Sequence, residues 1–266
     1  MDPLDDFRSV SFRQDNTSKL VYWLGQGPAV LVLSEMPGIT PRVADFARRI
    51  VAAGYTAVMP SLFGVDGKPP SNGYLAASGS KGCVSREFVA FATGKSSPIT
   101  TWLRALAAHA HHECGGPGVG VVGMCFSGGF ALAMMVDERV LVPVLSQPAM
   151  PLPVGAARKR DLSVSADELR IVKERTAAGA CVIGLRFTHD PLVPVERFDR
   201  LRAELGDGFI GIEIDSAPGN EHGFAKDAHS VLTEEFSDEP GHPTHDAFEL
   251  VLEHLRRKLQ VAERPT

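Results

Sequence analysis

The stretch AVLVLS at 29–34 is apolar almost without interruption. It lacks the in–out alternation of a strand that faces water on one side, so it reads as a strand buried on both faces. Further short apolar runs follow at 56–59, 119–122, 140–145, 181–187 and 209–214. Between them lie longer segments of helical character, over 41–53, 100–113, 128–136, 166–176, 195–205 and 245–260. Strands that alternate with helices predict an α/β fold: a mostly parallel central sheet with helices on both faces. The punctuation agrees. Thr40-Pro41 supplies an N-cap and a first-turn proline, Gly54 stops that helix, and Gly115-Gly116 ends another. Two opening runs, 10–12 and 20–24, have a turn at 14–18 and no crossover helix, so they are expected to pair antiparallel at one edge.

The chain has 266 residues, without an internal repeat or a dividing linker. It is expected to form one domain over 1–266, burying roughly 70–75% of its unfolded surface without disulfides or metal. Two irregular stretches, 61–95 and 147–165, are long for connections and are candidate lids or binding loops.

Charge and composition exclude several functions. The net charge is −5, and no dense Lys/Arg stretch is interleaved with aromatics, so nucleic acid is not an expected partner. Arg158-Lys159-Arg160 is short and reads as a solvated loop. No apolar run approaches the ~18 residues of a membrane span. The acidic start MDPLDDFRSV has no apolar leader core, and Cys83, Cys114, Cys125 and Cys181 form no CxxC pair. A cytoplasmic protein with reduced thiols is expected. There is no glycine-rich dinucleotide fingerprint or P-loop, so no nucleotide cofactor is indicated. His109, His111, His112 and Glu113 fall in the last turn of a helix, where imidazole suits the dipole and solvent. His242 and His245 flank a Pro-Thr pair beyond an acidic loop. Neither group is read as a metal site.

The chemistry concentrates at GMCFSGG, residues 123–129, directly after the run 119–122. A strand, a Gly-x-nucleophile-x-small-Gly turn and a helix make a nucleophile elbow, in which only small residues fit two positions either side of the nucleophile. Cys125 at the centre puts Gly123 and Ser127 at those positions. Ser127 at the centre puts Cys125 and Gly129 there. Both placements are sterically admissible. Cys125 is favoured because the strand ends immediately before Gly123 and a helix N-terminus would stabilise a thiolate.

An elbow of this kind needs an acid and then a histidine further along the chain. Asp190, in FTHDPLVP, follows the run 181–187 and so stands at the carboxyl end of a strand, where open α/β sheets build their sites. After the last strand comes GNEHGF, with His222 in a loop flanked by Glu221 and Gly223. Three candidates in the right order, each just past a predicted strand, reinforce one another.

These residues make the sequence resemble the dienelactone hydrolase family of α/β-hydrolases, from about Val10 to Leu259. The resemblance is carried by Ser34-Glu35-Met36-Pro37-Gly38, by 54–60, by the GMCFSGG turn, by Asp190 with Val193-Pro194, and by His222-Gly223-Phe224. It implies an α/β-hydrolase fold, a Cys125 nucleophile, His222 as base and Asp190 as its orienting acid. Ser127 stands where the family usually has glycine. The resemblance further implies that Glu35 holds the thiol neutral at rest and takes its proton when substrate binds. The backbone N–H groups of Met36 and Phe126 would form the oxyanion hole. Family members that act on dienelactone bind its carboxylate with arginines, one of them four residues after the histidine. Here Lys226 occupies that place relative to His222, and Arg86 is the candidate second cation.

The expected function is cofactor-free hydrolysis of a small-molecule carboxylic ester or lactone, of the carboxymethylenebutenolidase type, through an acyl-enzyme. The alternatives are a serine esterase that uses Ser127, or a degenerate hydrolase that binds a small molecule without turning it over. The sequence leaves the oligomeric state open.

Overall fold

The computed structural model describes residues 3–71, 97–150 and 154–259. Arg86 and Cys83, and most of the irregular stretch 61–95, lie outside these residues.

Among the described residues an eight-stranded sheet has the order β1-β2-β4-β3-β5-β6-β7-β8. Its strands are β1 (Arg8–Gln14), β2 (Thr17–Gly25), β3 (Ala29–Leu33), β4 (Thr56–Pro60), β5 (Val119–Met124), β6 (Val140–Ser146), β7 (Val182–Phe187) and β8 (Phe209–Ile214). β1 pairs antiparallel with β2, and β2 with β4; the pairs from β4 through β8 are parallel. The antiparallel edge is the one expected of two runs joined by a tight turn.

The helices are α1 (Pro41–Ala52), α2 (Pro98–Cys114), α3 (Gly128–Met134), α4 (Ala156–Lys159), α5 (Ala166–Ala177), α6 (Val195–Leu205) and α7 (Pro243–Leu259). Thr40 caps α1, its side chain accepting from the Val43 N–H. A capping box joins Ser165 and Glu168 at the start of α5. α2 begins two residues earlier than the periodicity suggests, because Pro98 is favourable in the first turn, where no N–H is needed. α4 was not foreseen within 147–165; at four residues it is too short to show a period.

β3 and β5 are buried along their whole length, and β3 divides its side chains between two cores. Ala29, Leu31 and Leu33 join the face covered by α2, α3, α5 and α6. Val30 and Val32 join the face covered by α1 and α7. Each buried Val or Leu among them contributes roughly 1.5–3 kcal/mol, and this double burial fixes the register of the central strands. The carboxyl ends of β3, β5, β6 and β7, together with the chain beyond β8, therefore meet at one rim. No helix among the described residues is long and apolar enough to cross a membrane.

Candidate active site

The turn after β5 is a three-residue 3-10 segment, Cys125–Ser127, that runs directly into α3. Cys125 has φ 54°, the left-handed region that costs a non-glycine residue about 1–3 kcal/mol. Its neighbours hold it there. A Cβ on Gly123 would stand 2.3 Å from the Ser127 carbonyl oxygen, and one on Gly128 would stand 2.8 Å from Pro148 Cα. The Cys125 carbonyl accepts from the Ala149 N–H at 3.0 Å.

Cys125 is half-buried, whereas Ser127 is fully buried. The Ser127 hydroxyl donates toward the Leu33 carbonyl (2.7 Å) and the Met124 carbonyl (2.9 Å), and accepts from the Met124 N–H (2.8 Å). It is a tie between the elbow and β3. Its small size was legible in the sequence; its commitment to backbone partners was not.

Asp190 lies in the turn after β7, with its side chain fully buried. Oδ1 accepts from the Leu192 N–H at 2.9 Å. Oδ2 meets Nδ1 of His229 at 2.6 Å. Arg186, at the end of β7, braces this turn. Its guanidinium donates to the carbonyls of Val193 (3.1 Å) and Thr188 (2.7 Å), on either side of Asp190, and pairs with Glu213.

The imidazole that meets Asp190 is thus His229 and not His222. His222 is exposed and lies past β8, the edge strand, with its ring 5.2 Å from that of His242 and 6.1 Å from that of Phe224. There it lines a separate cleft of about 530 Å³ with Asp215, Asn220, Asp246 and Leu250. Asn220 closes the loop around it, donating to the carbonyls of Ala217 and Phe224 and accepting from the Phe224 N–H. The two histidines are seven residues apart, and both follow β8. The signal that separates them is the company each keeps. Glu221, Lys226 and Asp227 need water, whereas Ala228, Ser230, Val231, Leu232 and Thr233 are buried.

His229 is mostly buried, with Nδ1 on Asp190. Its Nε2 is buried and makes no hydrogen bond of normal geometry among the described residues. Burial opposes a charged imidazole here, but the neighbouring Cys125 and then the Asp190 carboxylate outweigh it. Together they hold the His229 pKa well above its ordinary value. Asp190 thus holds Nδ1 of a ring that has Cys125 as an electrostatic neighbour. Arg197 lies beside them, almost wholly buried, donating to the carbonyls of Asp161 and Pro148. Burial pushes its pKa down to about 10, against the opposite pull of Asp161, Asp190 and Cys125.

Glu35 follows β3 and is buried. Oε2 accepts from Ser230 Oγ at 2.6 Å and from Gln147 Nε2 at 3.1 Å, and Oε1 accepts from Thr233 Oγ1. Met36 and Cys125 pack against the same apolar cluster, in which Phe126 is buried. The Phe126 ring meets Phe63 and Phe130 edge-on. Lys226 is exposed, in the loop that carries His222. Counted from His229, the fourth residue onward is Thr233, whose hydroxyl is spent on Glu35. The cation expected of Lys226 is therefore not supplied from that place.

Among the described residues no cluster of three or more His, Cys, Asp or Glu side chains has the geometry to hold a metal ion. His109 instead stacks on Phe12 at 5.2 Å.

Known proteins share this architecture. A Klebsiella pneumoniae protein inferred to be a dienelactone hydrolase has a structure similar to this chain at TM-score 0.65 and 17% identity, over 94% of this chain and 98% of that one. An esterase of Pyrococcus furiosus is similar at TM-score 0.59 and 13% identity, over 95% and 93%. A dienelactone hydrolase of Anabaena variabilis is similar at TM-score 0.59 and 16% identity, over 95% and 98%. At these identities the likeness is one of fold. No curated protein matches the sequence. The model of the dienelactone hydrolase family, in contrast, matches residues 18–259, the span that contains the elbow, the Asp190 turn and the His229 loop. The chain belongs to the dienelactone hydrolase family.

Proposed function

We propose that the protein hydrolyses a small-molecule carboxylic ester or lactone through Cys125, His229 and Asp190, within a single domain and without a cofactor. The observation that carries this is the short Nδ1–Oδ2 contact of His229 with Asp190, together with a half-buried Cys125 at the left-handed tip of the elbow.

The thiolate attacks the acyl carbon, and the carbonyl π pair moves to oxygen. The backbone N–H groups of Met36 and Phe126 are the proposed donors to that oxyanion, fixed before the charge develops. The imidazolium gives its Nε2 proton to the departing alkoxide as the C–O bond breaks, leaving a thioester on Cys125. Neutral His229 then takes a proton from water, whose oxygen attacks the thioester. Collapse of that intermediate releases the acid and returns the thiolate–imidazolium pair. Asp190 holds the tautomer throughout and stabilises the cation.

Ser127 is less suited to attack, because its hydroxyl is fully buried and shared among three backbone groups. Thr233 in place of a cation argues for substrates that need no carboxylate anchor there, so carboxymethylenebutenolidase activity is one arm of the test and simple neutral esters the other. A nucleophilic thiol fits a reducing compartment such as the cytoplasm.

Rapid quench with a p-nitrophenyl ester, intact-mass analysis and peptide mapping test the reading. An acyl group on Cys125 is expected. Labelling of Ser127 instead, by ester or by fluorophosphonate, would overturn it, as would full turnover in Cys125→Ala.

A further inference from the structure

Glu35 is a buried carboxylate with no ion-pair partner among the described residues; its three partners are neutral donors. A carboxyl group is costly to bury, and an apolar residue would serve stability better. What its partners have in common is their location. Ser230 and Thr233 belong to the irregular segment that carries His229, and Ser230 is its next neighbour in the chain. Gln147, the third, reaches the same segment by its other atom: its Oε1 accepts from the Val231 N–H at 3.3 Å and from Ser146 Oγ.

Gln147 is itself held firmly. Its backbone sits at φ 35°, and its N–H donates to the Leu185 carbonyl on β7 at 2.7 Å. Glu35 follows β3 and is fixed in a turn, its carbonyl accepting from the Gly38 N–H at 2.8 Å. The ends of β3 and β6 thus grip residues 230, 231 and 233. The His229 segment has no regular hydrogen-bond ladder of its own to position it.

We propose that Glu35 and Gln147 act as positioning residues, a clamp that sets the His229 ring between Asp190 and Cys125. Its grip is the set of hydrogen bonds that the two side chains make with Ser230, Val231 and Thr233. Glu35 in this role keeps its place, and its hydrogen bonds to Ser230 and Thr233, through the cycle. The proposal rests on the reading of Cys125, His229 and Asp190 as the reacting groups.

The test is rescue by an isostere. Glu35→Ala, Glu35→Gln, Thr233→Val and Gln147→Ala are assayed for kcat and KM, with thermal unfolding recorded for each. In parallel, the downfield Nδ1 proton of the His229–Asp190 bond is followed by NMR. A clamp predicts that Glu35→Ala and Gln147→Ala lower kcat about 10-fold or more, change KM less than about threefold and broaden the Nδ1 proton. Glu35→Gln, which still accepts from Ser230 and turns an amide donor toward Thr233, restores most of the kcat and sharpens that proton. Thr233→Val, with the carboxylate kept, shows part of the Glu35→Ala loss. The proposal is overturned if Glu35→Gln is as impaired as Glu35→Ala while Thr233→Val and Gln147→Ala match the wild type, because the carboxylate's basicity would then be what matters. It is overturned equally if the variants lose kcat only in proportion to unfolded protein. A wild-type enzyme that forms no adduct on Cys125 refutes the hydrolytic reading instead, and the two failures are distinguishable.

Discussion

At the scale of single residues, the site divides into groups proposed to react and groups that hold them. Ser127 holds: its hydroxyl satisfies the Met124 N–H and ties β5 to β3. Ser127→Ala should therefore cost about 1–3 kcal/mol in denaturant unfolding, the range for a buried donor left without its partner, while Cys125 still acquires an acyl group. His229 is the proposed base, and its elevated pKa has a nameable cause. With Cys125→Ala the sulfur, first among the groups that raise it, is gone; burial remains, opposed by Asp190. The Hε1 resonance of His229 should then titrate at lower pH than in the wild type. In the wild type, a raised folded pKa means that protonation of His229 stabilises the fold fully below its unfolded value, about 6.5, and that this contribution is lost as pH rises through the folded value. The positions of Cys125, directly after β5, and of Asp190, just past β7, were legible in the sequence from the apolar runs that precede them. His229 was not: the glycine beside His222 marks a loop but says nothing about which loop is buried.

At the scale of elements, two turns do the positioning. The elbow depends on the absence of a side chain at Gly123, where a methyl group would meet the Ser127 carbonyl oxygen. Gly123→Ala should cost about 1–3 kcal/mol and lower kcat more than it raises KM, because relief of the clash moves Cys125 rather than the substrate pocket. Calorimetry and steady-state kinetics on one sample read both effects. The turn after β7 depends on Arg186, which grips carbonyls on both sides of Asp190. The strand ends and helix starts near these turns were legible from Pro, Gly and apolar runs. The grip was not, because a charged residue inside the apolar run of β7 looks like an interruption until its partners are seen.

At the scale of the whole molecule, the sheet is an instrument for convergence. Cys125, Asp190 and His229 leave β5, β7 and the chain past β8, and only the parallel arrangement of those strands brings their ends to one rim. The α/β alternation was legible because continuous apolar runs admit few other arrangements. The path of residues 215–242 was not, because it has no helix or strand to give a period. The proposed assignment of the base to His229 is decided by kcat/KM for Cys125-dependent ester hydrolysis in His229→Ala and His222→Ala, measured side by side. The prediction is a loss of about 1,000-fold or more in His229→Ala, and a value within about threefold of the wild type in His222→Ala. The reverse pattern, with His222 indispensable and His229 replaceable, would contradict it.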